Sequence, residues 1–120
     1  TAHKVGIGTE APSDTLTVIG TMSAEQAAKA WVNFDGTGTV AIRSSHNVAS
    51  ITDVGIGQYT VNIDNDLHNN EYAVVVGLGG GHYETISNIA TTGFGMQIRT
   101  TDGNQTLVDN SQVMVTVFGE

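Results

Sequence analysis

The chain has 120 residues, enough for one domain and a short extra segment, and its commonest residues are threonine (16), glycine (15) and valine (14). Valine and threonine favour strands and glycine punctuates them, so this composition predicts an all-β fold rich in turns. Four basic residues against twelve acidic ones leave a net charge of −8, which speaks against nucleic acid and anionic lipid as partners.

Residues 1–27 are expected to form a unit of their own. Val5-Gly6-Ile7-Gly8-Thr9, then Glu10 to Asp14, then Thr15-Leu16-Thr17-Val18-Ile19-Gly20 reads as strand, turn, strand. Two strands this short cannot bury enough surface to stand alone. Residues 22–28 contain the one stretch with helix-forming character, where Ser23 and Gln26 make a weak capping box. A single turn or a plain connector is expected there, because the pattern ends by Trp31.

From residue 28 to 120 the chain reads as one β domain. Strands are expected at 29–35, 39–45, 48–53, 58–64, 71–78, 83–89, 93–100 and 112–118, with Gly, Asn and Asp clusters between them. That spacing predicts an antiparallel β-sandwich or a jelly-roll-like fold. Lys29 to Arg43 reads as a hairpin around Asp35-Gly36. Ala30, Val32 and Phe34 share its core face, and Trp31 shares the other with Lys29 and Asn33.

Two strands are apolar on both faces. In 72–78, Tyr72, Val74, Val76 and Leu78 oppose Ala73 and Val75; in 113–118, Val113, Val115 and Val117 oppose Met114 and Phe118. A domain this small covers few strands on both sides. Trp31, Val75, Met114 and Phe118 are therefore expected at a subunit contact. For Trp31 the alternatives are a place under a loop and a stacking platform for a sugar.

Little in the sequence points to catalysis. There is no Gly-x-Ser-x-Gly elbow, and no acid stands in an apolar run that would tune it for proton transfer. With no cysteine, disulfides and thiolate-bound zinc are ruled out. His3, His46, His68 and His82 lie too far apart in sequence to pair locally on a metal. Asp64 to Glu71 has oxygen donors where a calcium loop begins, but His68 and Asn69 break that pattern, leaving an ordinary solvated loop. Gly77-Leu78-Gly79-Gly80-Gly81 lacks the lysine and helix of a phosphate loop. The expectation is no catalytic residue, no metal and no cofactor. No run approaches the ~20 apolar residues of a membrane helix, so no membrane insertion is expected.

The hairpin sequence Lys29-Ala-Trp-Val-Asn-Phe-Asp-Gly-Thr-Gly-Thr-Val-Ala-Ile-Arg43 resembles the signature of a family of bacteriophage tail-fibre and tail-tip domains. The family has Asn or Asp at the position of Asp35. The similarity continues through Asn47 to Asp53, Gly55, Gly57, Tyr59 to Asn62 and Glu71 to Val74. It closes on Asp109-Asn110-Ser111-Gln112-Val113-Met114-Val115-Thr116-Val117-Phe118-Gly119, like the family ending Asp-x-Ser-x-Val-x-Val-x-Val-Phe-Gly. His46 departs from the pattern, where an aromatic is expected. Residues 1–21 resemble the shaft element of phage fibres.

The resemblance implies a homotrimer, preceded by a short β shaft, at the distal end of a virion's tail fibre. It implies attachment to a bacterial surface receptor, either a glycan or an outer-membrane protein. A fibre cap that only trimerises is the alternative; a polysaccharide-cleaving enzyme is a more distant one. Thr1 is not a natural start, so the chain is expected to be cut from a longer protein. Receptor contact is expected at Gly79, Gly80, Gly81, His82 and Tyr83, and at Asp102, Gly103, Asn104 and Gln105. These stretches match the family least and mix small, polar and aromatic groups. Tyr83, and Tyr59 beside its turn, are the expected loop aromatics.

Overall fold

In the computed structural model residues 3–19, 24 and 26–120 are described; the expected turn at 22–28 rests in large part on residues outside these. Strands β1 (Val5–Ile7) and β2 (Leu16–Val18) form a small separate sheet. They pair in parallel, Val5 opposite Leu16 and Ile7 opposite Val18, so the loop through Pro12 is a crossover and not a hairpin turn.

The eight remaining strands are β3 (Ala30–Asp35), β4 (Ala41–His46), β5 (Val48–Gly55), β6 (Gln58–Ile63), β7 (Ala73–Leu78), β8 (His82–Ala90), β9 (Gly93–Thr100) and β10 (Val113–Phe118). They form two four-stranded antiparallel sheets, ordered β4-β3-β10-β7 and β5-β6-β9-β8. The fold is all-β, with no helix among the described residues.

Period-two alternation sets the packing. Ala30, Val32 and Phe34 from β3 and Val113, Val115 and Val117 from β10 line the inner face of the first sheet. Tyr59, Val61 and Ile63 from β6 and Phe94, Met96 and Ile98 from β9 answer them from the second. Phe34 meets Tyr59 edge to face, with centroids 5.4 Å apart and planes at 72°. The two sheets thus share one core, with the inner positions of the central strands almost fully buried.

Strands β3, β5, β7 and β9 run one way and β4, β6, β8 and β10 the other. All turns that follow the first set therefore gather at one end of the sandwich, here termed distal. The N-terminal segment enters at the opposite, proximal end.

At that proximal end the chain passes from one sheet to the other through Asn47 alone. Its φ of 53° is in the left-handed region, which Asn tolerates better than most residues. Its side chain fixes the corner: Nδ2 donates to Lys29 O (3.0 Å) and Asn65 O (3.1 Å), and Oδ1 accepts from Asn65 N (2.8 Å).

Candidate binding surface

Three regions have features of a binding site: the distal loops, the outer face of the first sheet, and a groove at the proximal end.

The distal loops are organised by Asp109-Asn110-Ser111. Asp109 Oδ1 accepts from Gly57 N (2.8 Å) at the β5–β6 turn and lies 3.0 Å from the Tyr59 hydroxyl. That hydroxyl is also 2.7 Å from Gly36 O, in the β3–β4 turn. Burial, reinforced by the Asp109 carboxylate, pushes the Tyr59 phenol well above its ordinary range, so it stays a donor. Asn110 is 4% exposed and satisfied on every side. Its Oδ1 accepts from Gln112 N (2.8 Å), and its Nδ2 donates to Gly79 O (2.7 Å) and lies 2.9 Å from His82 Nδ1. Gly36 N donates to Asn110 O (2.8 Å), and Arg43 Nη2 donates to Ser111 O (2.6 Å). One short segment therefore ties down the three other distal turns.

The residues expected to meet a receptor come together on this base. Thr101 Oγ1 donates to Gly81 O (2.8 Å), joining the β7–β8 turn to the β9–β10 loop. Within the latter, Asp102 Oδ1 accepts from the Thr100 hydroxyl (2.8 Å) and from the backbone of Asn104 (3.1 Å) and Gln105 (3.2 Å). These bonds, the Thr100 hydroxyl foremost, hold its carboxyl below the usual range. Asp35 is lowered in the same way by Thr37, with a smaller contribution from Arg43 3.6 Å away.

Within the first stretch, Gly79 is a close approach: a Cβ there would lie 2.8 Å from Gln112 Oε1. Gly80 has φ +70° and completes the turn. Gly103 faces open space, and a Cβ on Gly81 would lie 3.8 Å from Thr101 Oγ1. His82 and Tyr83 are not loop residues; they open β8. Tyr59 is not a loop aromatic either. It is 1% exposed and belongs to the core, because its alternation with Val61 and Ile63 turns it inward.

The outer face of the first sheet carries the expected subunit-contact residues. Thr116 stands between Trp31 on β3 and Val75 on β7; the next row holds Asn33, Met114 and Gly77, and Phe118 stands opposite Ala73. Trp31 (38%), Val75 (57%), Met114 (44%) and Phe118 (37%) thus form one exposed apolar surface across three adjacent strands. The second sheet's outer face is different. Its central rows run Ser50–Asn62–Gly93 and Thr52–Thr60–Gly95–Ser87, polar side chains and glycine throughout.

At the proximal end a groove of about 890 Å³ is lined by Val18, Lys29, Trp31, His46, Asp64 and Leu67, among others. One flank of Trp31 faces this groove. Among the described residues no group of three or more His, Asp or Glu side chains is placed to hold a metal.

The sequence reading missed Asp109, Asn110 and Arg43 as organisers of the distal end, and Val54 and Ile56 as exposed apolar residues beside it (61% and 65%). The one signal available was that Arg43 and Asp109 stand in the two stretches on which the resemblance rests; the structure joins those stretches through Gly36–Asn110 and Arg43–Ser111. Comparisons of the chain with known protein families, with curated proteins and with solved structures gave no match.

Proposed function

We propose that this chain is the distal tip domain of a bacteriophage tail fibre, a homotrimer that attaches to the host surface through its distal loops. The observation that carries this reading is the meeting of 79–83 and 101–105 at the end opposite the N-terminal segment. Loops at the free end of a rigid sandwich are the part of a fibre that reaches a cell first. Residues 3–19, with their short paired strands, would continue into the shaft.

The apolar outer face of the first sheet supports the trimer. Patches of this kind on soluble proteins mark association surfaces. With that face turned to the threefold axis, Trp31, Val75, Met114 and Phe118 are covered by neighbouring copies, while the polar face of the second sheet stays in solvent. Each distal site would bind weakly. Three copies on one tip, and several fibres on one particle, would make attachment tight through avidity.

The test replaces 79–83 or 101–105 with Ser-Gly linkers and measures adhesion of the purified domain to a panel of bacterial cells. Each variant is expected to remain a folded trimer and to lose adhesion. Full adhesion by both variants, when the wild type adheres, would move the site elsewhere and favour the structural-cap reading.

A further inference from the structure

Resting on the attachment reading, we propose that the distal part of the second sheet's outer face binds an anionic sugar, with Arg99 taking its carboxylate or phosphate and Tyr83 lying against its ring. Tyr83 and Arg99 stand directly opposite each other on β8 and β9, and the next row is Thr85–Gln97–Gln58. Opposite side chains on antiparallel neighbours sit about 5 Å apart at Cβ, within reach of one sugar.

Arg99 is oriented before any ligand arrives. Its Nη1 donates to Gln105 O (3.0 Å) and its Nη2 to Gln97 Oε1 (3.0 Å), while Gln97 Nε2 donates to Gln58 Oε1 (3.3 Å). Both acceptors are neutral. Among the described residues the one ion pair joins Arg43 to Asp35, so the Arg99 charge is fixed in place without a counter-charge, in a chain of net charge −8. A held guanidinium with free N–H groups suits a carboxylate or phosphate, and fixing it beforehand lowers the entropic cost of binding. Its bond to Gln105 joins the site to the loop expected to meet the receptor.

The same face continues towards the proximal end as a shallow groove of about 140 Å³, floored by Gly93 and Gly95 and flanked by Thr60, Asn62 and Asn88. Asn62 Nδ2 is engaged by Ser50 (3.0 Å) and Thr52 (2.8 Å), which leaves its carbonyl oxygen for a ligand hydroxyl. Hydroxyls and amides around a glycine floor match a run of sugar hydroxyls.

The test is an array printed with uronic-acid oligosaccharides and phosphorylated oligosaccharides, each beside its carboxyl-reduced or dephosphorylated counterpart, probed with the wild-type protein. At least one anionic member should bind, and its neutral counterpart should bind at least about tenfold more weakly. The two anionic series distinguish carboxylate from phosphate. Arg99→Gln and Tyr83→Ala should each lose binding to that member, with Arg99→Lys intermediate; thermal melts establish that the variants are folded. Absence of binding to any anionic member, equal binding to its neutral counterpart, or undiminished binding by folded Arg99→Gln would each overturn the proposal. Cell adhesion separates the two readings. If the wild type and Arg99→Gln adhere equally, this subsite is wrong and attachment stands; if the wild type adheres to no cell, the attachment reading itself fails.

Discussion

Phe34→Ala should destabilise the sandwich by about 3–5 kcal/mol, the usual cost of emptying the site of a fully buried aromatic ring. Phe34 is 0% exposed and lies in the central strand β3 of the first sheet. Its edge-to-face contact with Tyr59 spans the two sheets, so the void would open between layers rather than at a rim. Tyr59 cannot move in to fill it without giving up its hydroxyl contacts to Gly36 and Asp109. A loss of this size is a large part of a small domain's total stability. In a thermal melt it should appear as a fall of at least about 10 °C. Ile89→Ala, at a site 41% exposed, serves as the control and should move the melt little. Equal, small shifts for both variants would mean that the sheets do not share the core described here.

Val75→Glu combined with Met114→Glu should leave the chain folded and separate it into monomers. Both side chains point away from the core, Val75 at 57% and Met114 at 44% exposed, so a lone chain tolerates the change. In the proposed trimer the same carboxylates would be buried without partners, at a cost of several kcal/mol per copy. Light scattering after size exclusion should therefore fall from about three times 12.5 kDa to 12.5 kDa. Trp31→Ala should weaken assembly in the same direction, since its ring stands beside Thr116 on that face. A wild type already monomeric at micromolar concentration would contradict the trimer. A Trp31→Ala variant that keeps its mass and melting point but loses cell binding would make that ring a ligand platform.

The strands were legible because their chemistry is local. Alternation in 30–35, 59–63 and 113–118 assigns inner and outer faces from the residues alone, and each assignment agrees with the observed burial. Trp31, Val75, Met114 and Phe118 could be picked out for the same reason: each breaks an otherwise ordinary strand by placing a large apolar group on the outward face.

Long-range polar contacts were not legible. Asn110 lies in a stretch of Asp, Asn, Ser and Gln that looks like any solvated loop. Its burial follows from partners at Gly79 and Gln112, which sequence spacing does not reveal. Arg99 reads as a solvent-facing strand residue until the positions of Tyr83, Gln97 and Gln105 around it are known. The parallel pairing of β1 with β2 was hidden too, because strand, turn and strand gives no direction. Asp35-Gly36 and Asp109-Asn110-Ser111 stand far apart in the sequence, and only the fold shows that they meet at one end of the molecule.

The central claim, that the distal end and not the proximal end faces the host, can be tested with one pair of conjugates. The chain has no cysteine, so Asn104→Cys and Asp66→Cys each create a single attachment point for a bulky polymer. Both positions are exposed, Asn104 on the distal β9–β10 loop and Asp66 in the proximal β6–β7 connection. Adhesion to a host strain is measured for each conjugate against its unconjugated variant. The account predicts that polymer at position 104 abolishes adhesion and polymer at position 66 leaves it intact; the reverse pattern, or equal adhesion by both conjugates, would contradict it.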